Sequence, residues 1–169
     1  DACLVGSEMC IRYRYMGWGF PKCEIVDQSS HDGKRWYAGK KNIIQEESNN
    51  KFKNYELDFA DKSVAIQCIL AEDNMIYIGT NKGIYSWAKN KDLTLEEKSI
   101  NVLSLEYYNT EIILVGTKKG IYSFQNSRLN TVESDDSFND VLSNIHIKNI
   151  KVINNHEIWY STFGQGILS

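Results

Sequence analysis

A ten-residue motif that occurs twice constrains the fold of this chain more than any other feature. The segments YIGTNKGIYS (residues 77–86) and LVGTKKGIYS (residues 114–123) are identical at seven of ten positions. Two weaker copies flank them, at residues 37–44 and 159–168. With Gly39, Gly79, Gly116 and Ser161 taken as equivalent, the copies lie 40, 37 and 45 residues apart. A period near 40 residues is typical of a propeller blade or of a helical solenoid.

The local pattern around each copy favours the propeller. Apolar, β-branched runs at residues 76–80 and 112–117 each end in a turn that contains lysine and glycine, and Ile-Tyr-Ser follows, which predicts a β-hairpin. With an apolar run before each hairpin and a polar alternating run after the first two, each period supplies four strands. Since no helical stripe extends over ten residues, the sequence predicts an all-β fold, a β-propeller fragment of about four four-stranded blades.

Six glycines are predicted to be structural turn residues. Gly83, Gly120 and Gly166 occupy positions where a tight turn needs a positive φ, which a residue with a Cβ adopts at a cost. The recurrent glycines of the motif are grouped with them, namely Gly39, Gly79 and Gly116.

The repeat places the blades at about residues 13–60, 61–98, 99–140 and 141–169, the last of them incomplete. Closed propellers contain from about four to eight blades, and an unfinished blade leaves an unpaired sheet edge. We therefore expect a fragment of a larger ring. The alternative is a closed four-bladed ring in which residues 13–20 supply the missing strand.

Residues 1–12 are expected to be non-native. The string CLVGSEMCIR, at residues 3–12, resembles the read-through translation of a DNA adapter used in sequencing libraries. Without it, Cys23 and Cys68 remain, and we expect two buried free thiols. The alternative is a genuine N-terminal strand with a Cys3/Cys10 pair.

The charge balance argues against two classes of partner. Nineteen basic and 22 acidic side chains give a net charge of −3, so the chain has no large positive field for nucleic acid or an anionic membrane. No apolar run approaches the roughly 20 residues that span a bilayer. We expect no nucleic-acid partner and no direct membrane insertion of this segment.

No group of residues has the spacing of a catalytic or metal site, so we predict no catalytic residues, no metal and no cofactor. The acidic pairs lie in polar turns or at strand edges, which is typical of solvated charge: Asp58 and Asp61, Glu96 and Glu97, Asp135 and Asp136. The three histidines lack metal-ligand spacing: His31, His146 and His156. The stretch at residues 30–36 matches the Asp-box of sialidase-like propellers poorly, and four arginines offer no carboxylate-binding cluster.

Candidate ligand contacts lie in the loops after the second strand of each blade, because a propeller brings these loops to one face. Four lysines would form part of an arc that attracts an anionic ligand such as an acidic sugar, or would be solvated: Lys41, Lys82, Lys118 and Lys119. Phe163 and Gln165 occupy the equivalent loop of the last blade, where Phe163 would be exposed for contact. The recurring aromatics are expected to pack mostly between blades: Trp36, Trp87, Phe124 and Trp159.

The segments IYIGTNKGIYS (residues 76–86) and IWYSTFGQGIL (residues 158–168) resemble two-component regulator propeller repeats, and the resemblance covers about residues 34–169. It implies a seven-bladed propeller in the periplasmic, extracytoplasmic sensor region of hybrid or sensor histidine kinases, which often detect oligosaccharides. The implied partners are an oligosaccharide or other small extracellular ligand, the remaining blades, and downstream kinase domains.

The chain departs from that family's pattern in carrying lysine before the turn glycine, and residues 1–169 contain no kinase, receiver or membrane segment. Two alternatives stay open. One is a non-signalling binding or scaffolding propeller, and the other is a propeller-fold glycoside hydrolase or lyase.

Overall fold

The computed structural model describes residues 25–49, 51–89, 91–132, 145–154 and 157–168. Within these ranges the chain forms fifteen β-strands and no helix. The strands are β1 (Ile25–His31), β2 (Lys34–Gly39), β3 (Ile43–Ser48), β4 (Lys51–Glu56), β5 (Ile66–Glu72), β6 (Met75–Thr80), β7 (Gly83–Ala88), β8 (Thr94–Lys98), β9 (Val102–Tyr107), β10 (Ile113–Thr117), β11 (Gly120–Gln125), β12 (Arg128–Thr131), β13 (Ile147–Asn154), β14 (Glu157–Thr162) and β15 (Ile167–Leu168).

The strands form four antiparallel sheets in chain order. Sheet 1 contains β1–β4, sheet 2 contains β5–β8, sheet 3 contains β9–β12, and sheet 4 contains β13–β15. The first strands of the four sheets line one central cavity, so each sheet is a radial blade. The predicted all-β propeller of about four blades is confirmed.

Several sequence predictions fall outside the described residues. They concern residues 1–24, with the adapter-like string, the extra strand of the closed ring and Cys23, and also Asp135, Asp136 and His156. The described residues include no helix that could span a bilayer.

Strand register assigns every side chain to one of two sheet faces, because neighbouring residues on a strand point to opposite sides. We call the face towards the following sheet the forward face and the opposite one the backward face. On the forward face of sheet 2, Gly79 pairs with Cys68 on one side and with Ile84 on the other. The equivalent pairs are Ala38–Ile44 in sheet 1, Gly116–Ile121 in sheet 3 and Ser161–Ile167 in sheet 4.

Three apolar clusters hold consecutive sheets together. Trp36 and Ile44 of sheet 1 pack with Ile69 and Ile78 of sheet 2. Ile84 of sheet 2 belongs to the second cluster, which also contains Val102, Val115 and Phe124 of sheet 3. Leu114 and Ile121 of sheet 3 pack with Ile147, Ile150 and Tyr160 of sheet 4. Each fully buried aliphatic side chain contributes about 1.5–3 kcal/mol, so most of the stability comes from contacts between sheets.

The interior holds three of the four recurring aromatics and one of the two predicted free thiols. Trp36, Trp87 and Phe124 are buried, and the rings of Trp36 and Trp87 meet edge to face across the junction of sheets 1 and 2, at 6.3 Å. Trp159 differs, since it is 45% exposed. Cys68 is a buried free thiol as predicted, and burial raises its pKa well above the usual value.

Candidate functional site

The candidate site is the central cavity, which has a volume of about 640 Å³. Its walls come from the inner strands β1, β5, β9 and β13, one from each sheet. Because each sheet is an antiparallel meander, the loop between its second and third strands lies at the same end as the start of its inner strand. Backbone hydrogen bonds show this directly, since the Phe163 N–H donates to the His146 carbonyl at 3.0 Å. We call this end of the cavity the upper end.

Each inner strand carries a one-residue bulge near its start. Near that start, the register between first and second strands skips one residue in each sheet, namely Val26, Gln67, Leu103 and Lys148, and sheet 4 has a second irregularity between Val152 and Asn154. A bulge leaves one residue without a partner and re-aims its side chain. All four bulged residues line the cavity, where they form what we call the bulge ring.

The bulge ring combines apolar and hydrogen-bonding groups. Val26 and Leu103 present aliphatic surface, whereas Lys148 is an exposed cation. The Gln67 Oε1 atom is buried and has no hydrogen-bond partner among the described residues. An unpartnered acceptor beside a cavity is a position at which a ligand hydroxyl or amide could donate a hydrogen bond.

An aromatic pair stands at the upper end beside Lys148. The rings of His146 and Phe163 lie 5.6 Å apart at 30°, and both residues line the cavity. Phe163 is 75% exposed, as the sequence predicted for a residue in this loop. Gln165 lies in the same loop and is also exposed.

Asp27 lies directly after the bulge of β1 and faces sheet 2. Its Oδ2 atom accepts a hydrogen bond from the Ile69 N–H at 2.9 Å, and two residues later Ser29 Oγ accepts one from the Ala71 N–H at 3.0 Å. Burial raises the pKa of the Asp27 carboxyl to about 6, although the N–H groups of Ile69 and Gln28 act in the opposite direction. This wall of the cavity therefore contains a carboxyl group with a pKa of about 6.

An ion pair crosses the lower part of the cavity between sheets 3 and 4. Lys151 Nζ on β13 donates to Glu106 Oε1 on β9 at 2.6 Å. The Glu106 side chain is 19% exposed. The pair links β9 to β13, and each of its two charged groups already has a partner.

The predicted lysine arc lies in the loops at the upper end, but its members differ in their contacts. Lys41, Lys118 and Lys119 are exposed in the β2–β3 and β10–β11 turns. Lys82, in the β6–β7 turn, donates to Asp61 Oδ2 at 2.6 Å. This hydrogen bond holds the pKa of Asp61 well below its usual range, so Lys82 is paired rather than available.

The grouping of the six glycines needs correction. Gly83, Gly120 and Gly166 have positive φ values of 159°, 111° and 79°. Gly79 and Gly116 instead lie inside β6 and β10. A Cβ on Gly79 would approach Val102 Cγ1 to 2.6 Å, so close approach of the next sheet, not a turn, requires glycine there.

Gly39 is also misaligned by one residue. It ends β2 and pairs with Ile25, as Thr80 pairs with Ile66 and Thr117 with Val102. The residue of sheet 1 equivalent to Gly79 is therefore Ala38. This position requires a small residue. The alignment of Gly39 with Gly79 and Gly116 did not reveal that requirement.

The sequence reasoning also missed the threonines that follow the small position. Thr80, Thr117 and Thr162 each donate through Oγ1 to the carbonyl of the turn glycine, at 2.8, 2.9 and 2.9 Å. The hydroxyls of Thr80 and Thr117 also accept backbone N–H bonds from the turn. Identity of this threonine in three motif copies was the signal that could have revealed it.

The remaining polar candidates make local contacts. Asp58 pairs with Lys62, and Glu96 accepts hydrogen bonds from Ser86 and Ser127 at 2.5 Å each. His31 bonds to Asp73 at 3.0 Å. Among the described residues, no three His, Cys, Asp or Glu side chains are arranged to hold a metal ion.

Neither family models nor curated proteins match this sequence. Among solved structures, the extracellular domain of BT4673 from B. thetaiotaomicron, assigned to a one-component system, is 21% identical with a TM-score of 0.63 over 85% of this chain and 21% of that one. The computationally designed protein Ika4 is 11% identical with a TM-score of 0.62, over 88% and 91%. YCF48, solved with a D1 peptide, is 14% identical with a TM-score of 0.59, over 86% and 50%.

The chain thus spans about a fifth of the BT4673 extracellular domain and half of YCF48, but most of the length of Ika4. At these levels of identity the likeness concerns the fold. These structures and the four radial sheets together identify the chain as a β-propeller.

Proposed function

We propose that this chain is the ligand-binding, signal-input part of an extracytoplasmic sensor of a two-component system, and that its ligand is an oligosaccharide. The observation that carries the proposal is the bulge ring, in which four sheets aim one side chain each into a common cavity beside an exposed aromatic ring. A regular ladder would leave none of these residues unpaired, and bulges are frequent next to binding sites.

The chemistry of the upper end suits a sugar. The exposed ring of Phe163 offers a flat apolar surface for the apolar face of a pyranose. Gln67 Oε1 accepts from a hydroxyl, and the Lys148 ammonium donates to a hydroxyl or a carboxylate. Apolar surface with a few placed polar groups is the usual composition of a small-ligand site.

The signalling part of the proposal rests on the resemblance of the repeats to two-component regulator propellers. A second solved structure of the BT4673 extracellular domain, described as part of a putative hybrid two-component system, has a similar fold and agrees with it. An extracytoplasmic location and downstream kinase domains follow from the same resemblance.

Calorimetric titration of the chain with soluble neutral and acidic oligosaccharides tests the binding proposal. We expect Phe163→Ala and Gln67→Ala each to weaken binding about tenfold, which corresponds to about 1.4 kcal/mol. Leu95→Ala is the matched control, because Leu95 is 47% exposed on the outer strand β8, far from the cavity. The proposal fails if no oligosaccharide binds, or if all three variants bind like the parent chain.

The exposed rim lysines should distinguish acidic from neutral ligands. The double variant Lys118→Gln/Lys119→Gln should weaken binding of acidic oligosaccharides alone, and the loss should shrink as salt rises. Lys82→Gln should have a smaller effect, since Lys82 is already paired with Asp61. An equal effect of both changes on neutral ligands would contradict this role.

A binding propeller without signalling output is the second candidate. YCF48 shows that a propeller of similar fold binds a peptide. Long-read sequencing of the contiguous gene separates the two: a membrane segment and a histidine kinase downstream support the sensor, and their absence from the complete frame supports the binding module.

A further inference from the structure

We propose that the forward face of sheet 4 binds a further propeller blade, one whose backward face is apolar. The proposal concerns an interface rather than the cavity and does not depend on the ligand. It rests on a comparison of equivalent positions in the four sheets.

The forward face of sheet 4 has the residue pattern of a covered face but is exposed. Ile44, Ile84 and Ile121 occupy one equivalent position in sheets 1 to 3 and are 0%, 0% and 8% exposed, whereas Ile167 is 67% exposed. At the equivalent position on the second strand, Trp36 of sheet 1 and Leu114 of sheet 3 are each 5% exposed and Tyr77 of sheet 2 is half-buried, whereas Trp159 is 45% exposed. An aliphatic and an aromatic side chain thus stand in solvent at the two positions that anchor the other interfaces.

The small residue Ser161, which lies between Trp159 and Ile167 on this face, indicates the same kind of partner. Gly79 leaves room for Val102, and Gly116 leaves room for Ile147, whose Cγ2 would lie 2.9 Å from an added Cβ. Val102 and Ile147 each begin the inner strand of the next sheet. Ser161 keeps this position small in sheet 4, so the partner should place an aliphatic residue over it.

The backward faces of the described sheets define the chemistry of the partner. Sheet 3 presents Ile113, Val115 and Phe124 to the sheet before it, and all three are buried. Sheet 2 likewise presents Ile78 and Trp87.

The backward face of sheet 1 is different. On it the Tyr37 hydroxyl donates to Glu47 at 2.6 Å, and Gln45 Nε2 donates to Asn54 at 2.7 Å. Tyr37 and Gln45 are each 1% exposed, so this face is already covered. Glu47 also stands at the position where sheets 2 and 3 carry Trp87 and Phe124. The partner is therefore a sheet of the type of sheets 2 and 3, rather than the first sheet of this or a second copy.

Two extended chains test the proposal. In the first, a second copy of residues 99–131 follows Ser169 and supplies the linker at 99–101 and sheet 3. In the second, the same linker is followed by residues 25–56, which supply sheet 1 as the matched control. We expect the first extension to raise the thermal midpoint by about 5 °C or more and to shield Trp159 from a soluble paramagnetic quencher. The second should do neither.

Further variants fix the location of the contact. Trp159→Glu and Ile167→Lys in the first extended chain should each abolish the rise, whereas Leu95→Lys, on the outer strand, should leave it intact. Equal midpoints for the two extensions would overturn the proposal. Sedimentation of the unextended chain as a dimer with Trp159 shielded would also overturn it, in favour of a second copy as the partner.

Discussion

The forward faces of sheets 3 and 4 carry residues of the same kinds, a large apolar side chain, a small residue and an isoleucine, in different surroundings. In sheet 3, Leu114, Gly116 and Ile121 are covered by sheet 4. In sheet 4, Trp159 and Ile167 occupy the equivalent large positions and are exposed, with the half-buried Ser161 between them. The same pattern thus stabilises the chain only where a neighbouring sheet covers it. Matched substitutions in covered and uncovered sheets should therefore differ sharply.

The largest difference is expected at the isoleucine position. Ile84→Ala should lower the free energy of unfolding by about 4 kcal/mol, because it removes a fully buried side chain and leaves a cavity. Ile167→Ala should change it by less than about 0.5 kcal/mol, as for other exposed sites. Urea unfolding monitored by circular dichroism measures both. Similar losses at the two sites would break the comparison.

The small position should show the next largest effect. Gly79→Ala should cost about 3 kcal/mol, because the new Cβ meets Cys68 Sγ and Val102. Ser161→Ala should change the free energy of unfolding little, since the residue stays small and none of the described sheets covers it. The same urea experiment provides the check, and a stable Gly79→Ala variant would show that sheets 2 and 3 are not in close contact.

Asp27 occupies the inner-strand position that Asn149 occupies in sheet 4. Because its pKa is raised from 3.8 to about 6 in the folded chain, the folded state binds the proton more tightly than the unfolded state. This contribution to stability is complete below pH 4 and is lost as the pH rises through 6.

Asp27→Asn should therefore stabilise the chain by about 2 kcal/mol at pH 7 and leave stability at pH 4 unchanged. Asparagine can still accept the Ile69 N–H. Denaturant unfolding from pH 4 to 8 measures the effect, with exposed Asp92→Asn as the control. A variant whose stability tracks that of the parent at every pH would refute this assignment.

The turn threonines should give the smallest effect. Thr117→Ala should cost about 1 kcal/mol, because Thr117 is 2% exposed and its hydroxyl donates to the Gly120 carbonyl and accepts from the Lys119 N–H. Thr162→Ala should cost less, since its hydrogen bond to Gly166 is exposed to water. Thermal unfolding of the two variants compares them, and a larger loss at Thr162 would be inconsistent with the exposure of sheet 4.

Much of the fold was predictable from sequence, because the hairpin pattern depends on residue type. Apolar runs, turn glycines and interior aromatics such as Trp36 and Phe124 report directly on strands and burial. The bulge ring was not predictable, since a bulge is a property of register. The four bulged residues occupy the same position in their strands but have side chains of different chemical types: Val26, Gln67, Leu103 and Lys148. The one-residue error at Gly39 has a related cause: contact with the next sheet requires small size, and Ala38 satisfies it as well as glycine.

Fluorine NMR of the chain labelled with 5-fluorotryptophan tests the central comparison most directly. Trp→Phe variants assign the resonances, and a soluble paramagnetic agent reports the exposure of each ring. We expect strong broadening of the Trp159 resonance and little of the Trp36 and Trp87 resonances. Equal protection of all three would contradict the account, because the forward face of sheet 4 would then be covered already.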